Sequence, residues 1–278
     1  MSNTKKHIKP WEELTIADDY MFKLVMRHPH ICKRLIEKIL KIKIKHITYL
    51  DDEKTLKFRY DGKGVRLDVY VEGDGTIYEI EMQVRDYGDK EMAYRARYYQ
   101  SMIDVESLPA GTKHYNKLKN SFIIFICPFT MFDKKRHMYT FRNLCIQDDK
   151  IELDDGSTKI FLCAGGSIDD VSPDIKAFLD YIKGSSVKDD FVNEIDEYIQ
   201  EIKINKEERV SYMTFEMKMM EAREDGLIEV AIAMLRDNKP LEEIIKYTGL
   251  PKEHIQELAK QVQWVVEADK NSLLLSFD

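Results

Sequence analysis

No apolar run in this chain of 278 residues approaches the roughly 18 that a membrane-spanning helix needs, and no membrane partner is expected. The four cysteines, Cys32, Cys127, Cys145 and Cys163, contain no C-x-x-C pair. Their scatter argues against a zinc knuckle and a disulfide framework and leaves reduced, mostly buried thiols. The seven histidines show no H-E-x-x-H or comparable ligand spacing. A metal would have to be held by carboxylates, and oxygen donors select hard cations such as Mg2+ or Mn2+. Positive charge is also in short supply: 43 Lys and Arg face 50 Asp and Glu, for a net charge of −7. A phosphate contact must come from a local patch. The stretch up to Lys45 is the basic part, and the chain beyond residue 110 is acidic. Internal repeats and low-complexity tracts are missing. The opening MSNTKKHIKPWEEL has basic residues with no apolar stretch behind them, so no secretory signal is read and a cytoplasmic location is the expectation.

What is present is an ordinary globular composition, 44% hydrophobic and 33% charged. Phe22, Val25 and Met26, then Ile31, Leu35, Ile36 and Ile39, recur at helical spacing, with a break at His28-Pro29. Strands are expected over Thr55–Tyr60, Val65–Glu72 and Thr76–Gln83, followed by a helix through GDKEMAYRARYYQSMIDV. The apolar run Ser121–Phe129 suits a strand buried on both faces. Shorter strands are expected at Met138–Leu144 and Lys159–Cys163, and a helix runs from Pro173 towards Gly184. The alternation predicts an α/β or α+β core, a domain over residues 1–185, with α/β the fold class expected. Residues 186–278 read as an all-helical extension with a long helix, Glu207–Asn238, and a helix–turn–helix-like end around Thr248-Gly249-Leu250.

The pair Asp74-Gly75 predicts a two-residue type I′ hairpin. Its register opposes Val71 to Tyr78, Val69 to Ile80 and Leu67 to Met82, a complete apolar face. On the other face Tyr70 opposes Glu79, Asp68 opposes Glu81 and Arg66 opposes Gln83. Opposed carboxylates destabilise a hairpin, and slipping by one residue would scramble the apolar face. A divalent cation would offset that repulsion. On spacing alone, a solvated outer face accounts for the acids equally well.

These residues resemble a known family. Asp68 followed by Glu81-Met82-Gln83 is similar to the D…E-x-Q variant of the D…(D/E)-x-K motif of PD-(D/E)XK nucleases. The ordered context DDYMFK, RLDVYV, IEMQ, YRARYY, HYNKL with IIFI, and TGLPKEHIQEL resembles the branch of recombination-promoting nucleases and PD-(D/E)XK family transposases. The resemblance implies a restriction-endonuclease-like core, a mixed β-sheet flanked by helices, and a Mg2+-dependent endonuclease acting on DNA. Mn2+ is the expected substitute. It implies Asp68 and Glu81 as metal ligands with the backbone carbonyl of Met82, Asp19 as a further ligand through water, and Gln83 as a catalytic residue where many relatives have Lys. Gln83 can orient water but brings no charge.

Arg95, Tyr99 and Lys23 are the candidate DNA contacts, with Arg95 equally suited to pair with one of the acids. Glu79 shares the face of Glu81 and could assist a second metal, with a surface or ion-paired role the expectation. The last helices interleave Glu253 and Glu257 with Lys252 and Lys260, an unfavourable charge pattern for major-groove reading. Packing, regulation or homo-oligomerisation is the expectation there.

Overall fold

The computed structural model describes residues 8–51, 55–56 and 65–261. Two helices open the core, α1 (Asp19–Met26) and α2 (Pro29–Leu40). They divide at His28-Pro29 as the sequence predicts, because Pro fits the first turn of α2 and cannot continue α1. Their buried stripes are Met21, Phe22, Leu24, Val25 and Met26, then Ile31, Cys32, Leu35, Ile36 and Ile39.

Among the described residues eight strands follow in chain order: β1 (Ile47–Asp51), β2 (Thr55–Leu56), β3 (Val65–Arg66), β4 (Val69–Gly73), β5 (Thr76–Met82), β6 (Asn120–Cys127), β7 (Met138–Phe141) and β8 (Ser157–Cys163). Six form one mixed sheet in the order β1-β4-β5-β6-β8-β7, while β2 and β3 pair separately. β5, β6 and β8 run parallel to one another, and the other pairings are antiparallel. The parallel step from β5 to β6 is made by α3 (Asp89–Ser107), since parallel neighbours need a crossover. Beneath α3, Met92, Ala96, Tyr99, Met102 and Ile103 form one core with Leu67, Tyr70, Ile77, Ile123, Phe125 and Phe161. The opposite parity of the sheet, including Val71, Ile80, Ile124, Ile126 and Leu162, is buried as well.

The hairpin forms as its turn dictates. Asp74 and Gly75 have φ of 50° and 79°, the left-handed values a type I′ turn requires at both positions. Gly73 pairs with Thr76, Val71 with Tyr78, Tyr70 with Glu79 and Val69 with Ile80. The ladder then stops. The expected strand Val65–Glu72 is broken at Leu67 and Asp68, so Leu67 joins the core under α3 instead of facing Met82. β1 was not announced by its sequence. The expected strand from Thr55 is described only to Leu56, and residues 57–60 lie outside the described residues.

α4 (Pro173–Ile182) and α5 (Asp190–Ile204) complete this unit, which runs from Glu12 to Asn205. This compact unit extends past residue 185. The reason is α5, whose Phe191, Val192, Ile195, Ile199 and Ile202 are buried, and which packs with α1 and α4. Lys38 Nζ lies 2.7 Å from Asp174 Oδ2, and Arg34 pairs with Glu194, so two basic residues of α2 serve as internal ties.

Among the described residues, the second unit joins 8–11 with 206–261. In it Tyr212 packs on Trp11 and donates to the carbonyl of Lys9 at 2.8 Å. α6 (Lys206–Arg236) is followed by α7 (Leu241–Thr248) and α8 (252–261). Ala231, Ile244, Leu250, Ile255 and Leu258 form its core. Val210, Met213, Met217 and Met220 remain exposed along α6.

Candidate active site

The acids come from three places in the core unit. Asp19 and Lys23 lie one turn apart on α1, so both side chains leave the same face of the helix. Asp68 sits at the bend before β4, and Glu79 and Glu81 share the α3-facing side of β5. β5 is an interior strand, with Glu79 flanked by Tyr70 and Ile123 and Glu81 beside Phe125. Glu79 is 0% and Glu81 5% exposed. The solvated-face account of these acids is thereby overturned, because the crossover helix covers them.

Two cations are committed to the acids. Lys23 Nζ lies 3.0 Å from Asp68 Oδ1 and 3.0 Å from Asp19 Oδ2. Arg95, on α3, donates to Glu81 Oε1, to Gln83 Oε1 at 2.9 Å and to the Tyr99 hydroxyl at 2.6 and 2.9 Å. Gln83 is buried, with its amide nitrogen donating to the carbonyl of Arg85. The three expected DNA contacts, Lys23, Arg95 and Tyr99, thus turn their polar atoms to the acid cluster. The Met82 carbonyl, an expected ligand, accepts from the Val84 N–H at 3.1 Å.

The titration shifts follow from this geometry. Burial pushes Asp68 upward, and Glu81 and Asp19 add to this against the pull of Lys23. Burial also raises Glu79, reinforced by Glu81 and Asp68, and it raises Glu81 against the pull of Arg95. Burial would lower Lys23, but Asp68 and Asp19 outweigh it and hold the ammonium charged. Asp68 and its own partner Lys23 therefore both shift upward. The cluster explains this better than the pair: four carboxyl groups, Asp19, Asp68, Glu79 and Glu81, interact with two cations, Lys23 and Arg95. Fully ionised, they would leave two negative charges uncompensated.

Among the described residues, no three His, Cys, Asp or Glu side chains stand arranged to hold a metal ion. The residues nonetheless fit a divalent cation. Both oxygens of Glu79 and Oε2 of Glu81 are buried without any hydrogen-bond partner. Oxygen donors of this kind suit a hard cation, and its charge equals the deficit.

Residues 16–162, more than half of the chain, match the family described as PD-(D/E)XK nuclease family transposase. The chain belongs to this family. The matched span contains Asp19, Lys23, Asp68, Glu79, Glu81, Gln83, Arg95 and Tyr99, and it ends inside β8. No curated protein and no solved structure is detectably similar to the chain. Family membership supports a nuclease-related function, and the mixed six-stranded sheet flanked by helices agrees with a restriction-endonuclease-like core.

Sequence reasoning missed the place of Glu79. The signal was available in strand parity: Glu79, Glu81 and Gln83 share one face, and a parallel crossover from β5 to β6 lays its helix over a face. It also missed the Lys23–Asp68 pair, for which the spacing of 45 residues between the two positions offers no local cue.

Proposed function

We propose that the chain is a Mg2+-dependent DNA endonuclease of low sequence specificity, with Mn2+ able to substitute. The observation that carries this is the buried acid cluster on β5 and the adjoining bend, two positive charges short and with three orphaned carboxylate oxygens. Asp68 and Glu81 would hold the cation with the Met82 carbonyl, and Asp19, its side chain 44% exposed, would reach it through water. A bound Mg2+ would supply a Lewis acid and neutralise charge developing on the scissile phosphate. Lys23 and Arg95 are the cations nearest the acids, and on meeting a phosphate each can exchange a carboxylate partner for it. Tyr99 positions Arg95 by accepting from its guanidinium. The covering by α3 excludes bulk water from β5 and so strengthens each of these interactions.

Gln83 favours a second reading, a weakly active or inactive nuclease-fold module that binds DNA or protein. It carries no charge, and both ends of its amide are engaged. Nicking of supercoiled plasmid separates the two. The enzyme reading expects Mg2+-dependent nicking that EDTA stops and that Asp68→Asn and Glu81→Gln abolish. Salt-sensitive DNA binding with no nicking at any divalent-ion concentration favours the second reading. We place the activity in the unit Glu12–Asn205, in the cytoplasm. Self-association is assigned to the exposed Val210, Met213, Met217 and Met220, whose three-four spacing is that of a coiled-coil seam. Sedimentation of a Met217→Lys variant as a smaller species than the parent would support it, and identical sedimentation would not.

A further inference from the structure

Glu79 has no part in the D…E-x-Q motif, yet among the described residues it and Glu81 are the only Asp, Glu, Lys or Arg that are buried as whole residues. Nothing in its surroundings satisfies it. Its sheet neighbours, Tyr70 and Ile123, belong to the apolar core under α3. The nearby guanidinium of Arg95 gives its bonds to Glu81, Gln83 and Tyr99, and neither oxygen of Glu79 receives one. Protonation does not resolve this. A neutral carboxyl would still leave an O–H and a carbonyl unbonded in a dry interior, which native structures avoid.

We propose that Glu79 is a direct ligand of the divalent cation, so that the seat in this chain is Asp68, Glu79 and Glu81 rather than the two motif acids alone. This rests on the reading that a divalent cation binds at the cluster. Residues two apart on one strand face are separated by roughly 6.6 Å, so the carboxylates of Glu79 and Glu81 can converge on one ion between them. With that ion in place, Asp19, Asp68, Glu79 and Glu81 are balanced by Lys23, Arg95 and the cation, and the orphaned oxygens gain a partner. Without the ion, Lys23 holds Asp68 and Arg95 holds Glu81, which keeps the three acids from gathering. Assembly of the seat requires Asp68 to leave Lys23.

The test is calorimetric titration of Mn2+ into the full chain, its Glu79→Gln variant and its Asp68→Asn variant, with metal-free melting of each. Glu79→Gln keeps the shape and removes the buried acid, so it should melt at or above the parent in EDTA. It should bind Mn2+ at least about tenfold more weakly, the scale on which even outer partners of a metal ligand act. Parent-like Mn2+ affinity in Glu79→Gln beside weakened binding in Asp68→Asn would overturn the role of Glu79 and leave the cation site standing. No Mn2+ binding by the parent would overturn both. Should Glu79→Gln fail to fold, anomalous scattering from Mn2+-soaked crystals of the parent decides. A Glu79 oxygen within about 2.6 Å of the ion supports the proposal, and an ion held by Asp68 and Glu81 with Glu79 apart from it overturns it.

Discussion

Replacing Lys23 by Met should weaken the metal-free protein and tighten its hold on a divalent cation. At 3.0 Å from Asp68, and with an effective dielectric constant of about 20, the ammonium contributes about 5.5 kcal/mol of attraction. Desolvation cancels much of this in the intact pair, but removing one partner strands the other, at a cost of about 3–5 kcal/mol. Asp19 is the more exposed acid and loses little; Asp68, with 9% of its side chain exposed, bears the cost and limits it by protonating. The lower figure, about 3 kcal/mol, is therefore expected. For a cooperative unit of this size it lowers the melting temperature by about 6–12 °C in EDTA. A divalent cation that takes over from Lys23 recovers the same energy, so Mn2+ should bind Lys23→Met roughly 100-fold more tightly than the parent. Circular dichroism melts in EDTA and in Mn2+, with calorimetric titration, read both halves. A Lys23→Met protein with the parent's melting temperature in EDTA and the parent's Mn2+ affinity would refute the idea that Lys23 occupies the cation's place.

Three further outcomes are expected. In EDTA the protein should lose stability as pH rises from about 5 to about 8, because Asp68, Glu79 and Glu81 are all raised and the folded state then binds more protons than the unfolded one; urea melts across that range check the sign, and Mg2+ should flatten the slope. Gln83→Lys would set an ammonium where Arg95 now donates at 2.9 Å, so it should cost about 1–3 kcal/mol by thermal melting, and Arg95→Met in the same chain should recover part of that. A fragment spanning Glu12–Asn205 should fold cooperatively, whereas one ending at Gly184 should not. The latter lacks five buried apolar residues of α5, each contributing about 1.5–3 kcal/mol, a total comparable to a whole domain's stability; melting of the two fragments decides.

Much of the fold was legible because local chemistry dictated it. Asp74-Gly75 set the hairpin register, His28-Pro29 split two helices, and the unbroken apolar run of β6 announced a strand with both faces covered. β1 escaped because its residues, Ile47 to Asp51, neither alternate nor run apolar, and its pairing with β4 comes from across the chain. The break at Leu67 and Asp68 was hidden for a related reason: an alternating pattern continues through it, and only the demand of the α3 core for Leu67 ends the strand. Of the candidate site, Asp68, Glu81 and Gln83 could be read from the motif that the sequence resembles. The depth at which Glu79 sits, and the capture of Lys23 and Arg95 by the acids, depend on which helix lies over β5, a tertiary fact.

The route by which β5 acquires its neighbours bears on how fast the chain folds. The β4–β5 hairpin closes across two residues and is a local event, whereas β5 meets β6 only after α3 and the segment up to Asn120 are in place. Pairing between segments this far apart in sequence forms more slowly than a local hairpin. On that order Glu79 and Glu81 would remain hydrated through the early step and would lose their water only when β6 and α3 dock. The energetic penalty of burying them then falls on the rate-limiting barrier, so acid pH should speed refolding in stopped-flow experiments more than it slows unfolding. A cation that binds these acids would act on the same step, by offsetting the penalty of burying them and staying bound in the folded state.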